Sequence, residues 1–160
     1  MKIVASGDVD PERLHEHLLS VWHADFVVAH DEPMRPADLP GFVALDDDVI
    51  VGHAAYRISD DGCELVAIAA EPPRKGTGSA LLERVVGEAR AAGCERVWLT
   101  TTNDNVDALR FYQRRGFRLV TLRVGSVVEA RKRWKPDLPA TGSYGIPMRD
   151  ELDLELSLGS

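Results

Sequence analysis

The segment Arg74-Lys75-Gly76-Thr77-Gly78-Ser79, running on into Ala80-Leu81-Leu82, has the residue types of an anion site. Glycines let a chain curl so that several backbone N–H groups converge, and the start of a following helix adds partial positive charge. Arg74 and Lys75 add full charges, so the segment suits a pyrophosphate. The same residues also make an ordinary strand-to-helix turn, and the turn alone leaves both readings open. Two narrower readings are excluded. Gly76-Thr77-Gly78 has no third glycine before Leu81, so it is not a dinucleotide fingerprint, and no Gly-Lys-Ser/Thr follows, so it is not a phosphate loop of the nucleotidase kind. Cys63 and Cys94 form no CxxC pair, and the five histidines show no HExxH or other close ligand spacing. The cysteines read as two reduced, partly buried thiols, and no metal is expected.

The elements around this turn are legible from patterning. Residues 2–5 read as a strand. Asp10-Pro11-Glu12 is a capped helix start, with Leu14, Leu18, Val21 and Trp22 at helical spacing. Pro33, Pro36 and Pro40 predict loop or short helix over 30–40. Three strands joined by hairpins follow: 42–45, 49–57 and 63–69, with turns at Asp46-Asp47-Asp48 and Asp60-Asp61-Gly62. The acidic triplet reads as a solvated hairpin tip before it reads as a lure for an amine. The helix after the glycine turn carries one stripe of Leu81, Leu82, Val85, Val86 and Ala89 and is stopped by Gly93. A strand at 96–101, a helix at 105–115 stopped by Gly116, and a strand at 117–124 come next. The segment 126–147 is helical at first and then loop. Residues 151–158, Glu-Leu-Asp-Leu-Glu-Leu-Ser-Leu, alternate without error and predict a strand with one buried and one wet face. The order predicts one α+β domain over residues 1–160, built on a mixed, mostly antiparallel sheet of about seven strands flanked by helices.

The net charge of −7 disfavours nucleic-acid and anionic-membrane surfaces. The N-terminus has no long apolar run, so neither a signal peptide nor a membrane span is expected, and the expected location is the cytoplasm.

The second informative block is Asn105-Val106-Asp107-Ala108-Leu109-Arg110-Phe111-Tyr112-Gln113-Arg114-Arg115-Gly116-Phe117. The pattern N-x-x-A-x-x-F-Y-x-x-x-G-F after a strand, one strand beyond a K-G-x-G-x-x-L-L turn, resembles the GNAT acetyltransferase superfamily. The two motifs cover about residues 60–120, and the outer parts fit in strand order. The run Gly145 to Glu151 resembles the ending of an uncharacterised bacterial subgroup. The resemblance implies a GNAT-like fold and an N-acetyltransferase that moves an acetyl group from acetyl-CoA to a primary amine of a small molecule or peptide. It implies a CoA pyrophosphate on the backbone of Arg74, Lys75, Gly76, Thr77, Gly78 and Ser79. The pantetheine arm would lie beside strand 64–69 where it splays from 96–101, with Asn105 near that arm. Asn105 is also a natural helix cap. Pro73 stands where the family has Gln or Arg, and proline has no N–H to donate.

Amine acylation needs loss of the ammonium proton, stabilisation of an oxyanion and departure of a thiolate. The resemblance assigns Tyr112 to the departing sulfur, a role open to a phenol that is neutral at pH 7; its alternative is a core aromatic. Glu64, in an otherwise apolar strand, is the candidate base. Strand parity groups it with Val66 and Ile68, opposite Leu65, Ala67 and Ala69, without deciding which face is wet. A backbone N–H near Ile68 is the expected oxyanion donor. Trp22, His23, His53, Thr101 and Thr102 are pocket candidates that read first as structural. A non-catalytic acyl-CoA-binding or regulatory module on the same fold is the competing reading, and a nucleotide-binding switch domain is a weaker third. A homodimer is compatible with either of the first two.

Overall fold

A computed structural model of the chain describes residues 1–71 and 76–159. Asp10 caps the first helix, α1 (Pro11–Trp22), accepting a hydrogen bond from the Glu12 amide at 3.2 Å. Leu14 and Leu18 bury its apolar stripe, packing with Val9, Val43 and Ile50. The strands β1 (Lys2–Ala5), β4 (Gly41–Asp46), β5 (Val49–Ser59), β6 (Gly62–Ala70), β7 (Arg96–Thr102), β8 (Arg118–Arg123) and β9 (Glu151–Ser157) form one sheet in the order β1-β4-β5-β6-β7-β9-β8. Only β6 and β7 pair in parallel. Helices α2 (Thr77–Ala91), α3 (Val106–Arg114) and α4 (Ser126–Arg133) complete the fold. Among the described residues, no helix is long and apolar enough to cross a membrane.

The expected seven-stranded α+β sheet is thus present, and the predicted elements fall within a residue or two of their places. Gly93 and Gly116 both take the left-handed conformation expected of helix stops, with φ of 79° and 94°. One stretch differs. Residues 27–34 form a small hairpin of their own, β2 (Val27–Ala29) and β3 (Glu32–Met34), before a short 3-10 turn at Pro36–Asp38. Its turn residues, His30 and Asp31, are left-handed at φ 55° and 60°, the geometry a two-residue hairpin loop demands. The prolines masked it in the sequence: Pro33 sits in a short two-stranded ribbon, where a missing N–H costs little.

The two faces of the sheet differ chemically. On one, Leu65, Val97, Leu99 and Leu154 pack with Leu81, Leu82 and Val85 of α2 and with Phe117. Cross-strand register places Glu64, Trp98, Thr100, Thr102, Glu151, Asp153 and Arg123 on the other. The wet face expected for β9 is wet only toward the end of the strand, at Glu155 and Ser157. Its leucines do turn inward, but β9 runs between β7 and β8, and Glu151 and Asp153 are also buried, at 3% and 9% exposure. The hairpin reaches this polar face: the His30 ring bonds Thr100 at 2.6 Å and lies edge-on to Trp98.

The parity read for β6 also needs correction. Ala55 pairs Ala67 and Tyr56 pairs Leu65, so Val66 is an extra residue, a bulge, and every side chain beyond it changes face. Ile68 consequently packs with Leu65 against the helix-side core, and Glu64 shares the opposite face with Ala67 and Ala69.

Candidate functional site

The parallel pairing of β6 with β7 lasts only three residues, from Cys63↔Val97 to Leu65↔Leu99. Beyond it the two strands diverge, and a cleft of about 710 Å3 opens between Leu65–Ala70 and Leu99–Thr102. This is the splay that the family resemblance implied. The bulge at Val66 sits where the divergence begins. The Glu71 amide donates to Val51 O at 2.8 Å, toward β5. Backbone alternation then turns the Ile68 and Ala70 amides away from β5, toward the open side. Ile68 thereby presents an N–H to the cleft, independently of where its side chain packs.

The start of α2 closes one end. Gly76 is left-handed at φ 96°, which frees the chain to turn directly into the helix, and among the described residues no side chain caps the first amides. Gly76, Gly78 and Ser79 line the cleft. Thr77 does not line it: its side chain is buried, with the hydroxyl 3.4 Å from the Met1 sulfur. Arg74 and Lys75, like Pro73, lie outside the described residues. A cation that sequence reading missed stands here. Arg115 donates to Ser79 Oγ at 2.5 Å and to Phe111 O at 2.9 Å, and its guanidinium carbon is 3.7 Å from the centre of the Phe111 ring. Its spacing four residues after Phe111 on α3 was the available signal. From the same end a groove of about 950 Å3 continues between α2 and α3, lined by Arg90, Arg110, Arg114 and Arg115 against Glu83 and Asp107. Four cations against two acids make it electropositive in a chain of net charge −7.

Helix α3 supplies the other wall. Asn105 caps it, accepting from the Ala108 amide at 3.2 Å, and also lines the cleft. Tyr112 lines the cleft while being only 6% exposed. Its ring packs edge-on against Phe111 and Phe117 at 5.1 and 5.3 Å. Its hydroxyl makes no hydrogen bond among the described residues. Burial pushes the phenol well above its ordinary pKa, so it stays protonated at any neutral pH.

Glu64 is not brought to the cleft. Its buried carboxylate accepts from Arg57 Nε at 2.8 Å, and the same guanidinium grips Glu32 of the hairpin at 2.7 and 3.2 Å. Of the pocket candidates, Trp22, Thr101 and Thr102 line the cleft, and His23 and His53 do not. His53 is buried with neither ring nitrogen partnered among the described residues, and burial followed by the neighbouring His17 lowers its pKa to about 4.

Next to Glu151, a lining residue of the cleft, stands a polar group that alternation alone did not reveal. Asp153 accepts from Arg123 at 2.6 and 2.8 Å and from Thr100 at 2.7 Å. Burial pushes this carboxyl up, but the bonds from Arg123 and Thr100 outweigh it and hold it below the usual range. Glu151 stands beside it and is itself a wall of the cleft. The signal was present as acids regularly opposite leucines; what was missing was knowledge that β9 is an interior strand. Among the described residues no cluster of metal-binding side chains occurs.

The model of the acetyltransferase (GNAT) family matches residues 10–117. Two Bacillus subtilis proteins, the uncharacterized YxbD and YdhI, are 36% and 33% identical over 153 residues. These alignments cover 95% of this chain and 96% and 95% of theirs. A Bacillus subtilis acetyltransferase solved in complex with CoA superposes with a TM-score of 0.71 at 18% identity, covering 98% of each chain.

Proposed function

Because the chain belongs to the acetyltransferase (GNAT) family, we propose that it transfers an acetyl group from acetyl-CoA to a primary amine by direct attack of the amine on the thioester. One observation carries the reading: a phenol held neutral by burial opens onto the same cleft as an uncapped helix start and a freed strand edge. These are a proton donor, a phosphate cradle and an oxyanion donor in one continuous space.

The residues present fit the co-substrate. The free amides at Thr77, Gly78 and Ser79 and the guanidinium of Arg115 suit a pyrophosphate. The arginines of the α2–α3 groove suit the remaining phosphate. Ala67, Ile68 and Ala69 with Ala108 and Phe111 give the apolar walls a pantetheine arm requires. In the reaction the amine nitrogen bonds to the thioester carbonyl carbon. The Ile68 amide stabilises the negative charge on the oxygen, and the carbon–sulfur bond breaks. The bound ammonium first loses one proton to water in the open cleft; after attack the leaving sulfur takes the Tyr112 proton, and the second proton of the nitrogen returns through water to the Tyr112 phenolate. Glu64 has no part in this sequence. Its carboxylate is engaged by Arg57, so its role is to fix the hairpin through the Glu64–Arg57–Glu32 chain.

The test is binding followed by turnover. Acetyl-CoA should raise the melting temperature by mass action, with NAD and ATP at equal concentration doing so far less. Free thiol should then be released in the presence of a primary amine. Binding without thiol release over a broad amine panel would favour the non-catalytic module, and stabilisation by NAD or ATP instead of CoA would refute both.

A further inference from the structure

Beside Glu151, which lines the cleft, lie a second buried carboxylate, Asp153, and the guanidinium of Arg123. Arg123 is committed mainly to Asp153, at 2.6 and 2.8 Å, and reaches Glu151 only at 3.3 Å. Both of its contacts with Glu151 go to Oε1, and the His30 amide also donates to Oε1 at 3.3 Å. Oε2 makes no hydrogen bond among the described residues, and it is not sealed off: although the residue as a whole is 97% removed from solvent, Glu151 lines the cleft and this oxygen is the part left open. The His30 ring serves Thr100 and Asp153, not Glu151. A carboxylate oxygen held at the wall of a cleft without a protein partner is available to a cationic hydrogen-bond donor.

The chain invests many contacts in placing this group. Asn103 Oδ1 accepts from the amides of Arg149 and Asp150, at 2.9 and 3.0 Å, and its Nδ2 donates to Pro147 O. Asp150 accepts from the Gly125 amide, and Arg131 of α4 donates to Leu138 O, Pro139 O and Met148 O. The run from Gly145 to Glu151 is thereby clamped, and β9 begins with Glu151 directly opposite Thr102.

We propose that Glu151 receives the acceptor's ammonium through a charge-assisted hydrogen bond at Oε2, making it the specificity-determining residue of the site and the acceptor a compact cationic amine. This rests on the acyl-transfer reading above. The surrounding walls are Trp22, Val27, Val28 and Ala29, with hydroxyls only from Thr100 to Thr102, so the body of the amine is apolar. A carboxylate beside the amine would meet the Glu151 charge, so free α-amino acids are poor acceptors.

The probes are phenylethylamine and tryptamine with their neutral alcohol counterparts, phenylethanol and tryptophol. They are titrated into CoA-saturated protein and followed by ligand-observed NMR. Wild type should bind the amines at least about tenfold tighter than the alcohols, the range of a charge-assisted bond. Glu151→Gln should abolish that preference while the CoA dissociation constant stays within about twofold. Absence of the preference in wild type, or its survival in Glu151→Gln, overturns the proposal. Should Glu151→Gln fail to fold, Glu151→Asp keeps the charge but withdraws it by one methylene. It should weaken amine binding at least about fivefold with the alcohols unaffected, and unchanged amine affinity overturns the proposal equally. Wild-type protein that binds no CoA would instead refute the acyl-transfer reading.

Discussion

Replacing Tyr112 by phenylalanine removes one hydroxyl and leaves the ring. The edge-on contacts with Phe111 and Phe117 involve ring carbons and survive. The hydroxyl has no hydrogen-bond partner among the described residues, so its loss leaves no other group unsatisfied, and stability should change by less than about 1 kcal/mol. The substrate-bound ground state should change as little, because a thioester sulfur is a weak acceptor. The effect belongs to the transition state, where charge builds on sulfur. A positioned acid contributes on the order of 10²–10⁴-fold. We place Tyr112 at the lower end, about 10²-fold or about 2.7 kcal/mol, because a thiolate leaves more readily than an alkoxide, and burial, by raising the phenol's pKa, makes it a reluctant acid. The assay is steady-state thiol release with the best acceptor from a panel, together with CoA titration of both proteins and their melting temperatures. Turnover should fall with the CoA dissociation constant and melting temperature nearly unchanged. Wild-type turnover in a folded Tyr112→Phe protein would refute the proton-donor argument. Parallel losses in CoA affinity and turnover would make Tyr112 a binding residue.

Three further outcomes follow from the same geometry. A Cβ at Gly78 would lie 3.6 Å from the Phe111 ring, an ordinary contact, so Gly78→Ala should fold normally. Gly78→Leu should weaken CoA at least about tenfold by filling the cleft, at little cost in melting temperature; equal CoA titrations for the two variants would argue against a phosphate cradle there. Glu64→Gln should lose about 1–3 kcal/mol in chemical denaturation by weakening its bond from Arg57, and its pH–rate profile should match wild type; a loss confined to the acidic limb would restore Glu64 as the base. His53 has a folded pKa of about 4 against 6.5 unfolded, so the unfolded chain binds the extra proton. Stability present above pH 6.5 is lost as pH falls from about 6.5 to 4, by on the order of 3 kcal/mol. His53→Leu should flatten that part of the stability–pH curve, and an unchanged slope would mean the ring has found a partner.

The two motifs were legible because each depends on local chemistry. A glycine turn before an amphipathic helix is dictated by backbone freedom and by the stripe from Leu81 to Ala89. The cap at Asn105 and the stop at Gly116 bracket α3 from within. Hairpin-linked strands ahead of a strand–helix–strand run were enough to give the mixed sheet. Such features involve residues within a few turns of one another, so the sequence states them directly.

What stayed hidden depends on register and on neighbours distant in the chain. Val66 is an ordinary strand residue in sequence, and only pairing with β5 makes it a bulge, which separates Glu64 from Ile68 and changes which of them reaches the cleft. The acids of β9 are indistinguishable from a solvated face until β8 flanks the strand on its outer side and the hairpin at 27–34 reaches that face. The sequence by itself determined the family, the order of the elements and the positions of Tyr112 and Asn105, because period, capping and turn chemistry are local. The tertiary structure alone decided that Glu64 belongs to a structural ion pair and that Glu151 lines the cleft, because a strand's face acquires its environment only from what is laid against it.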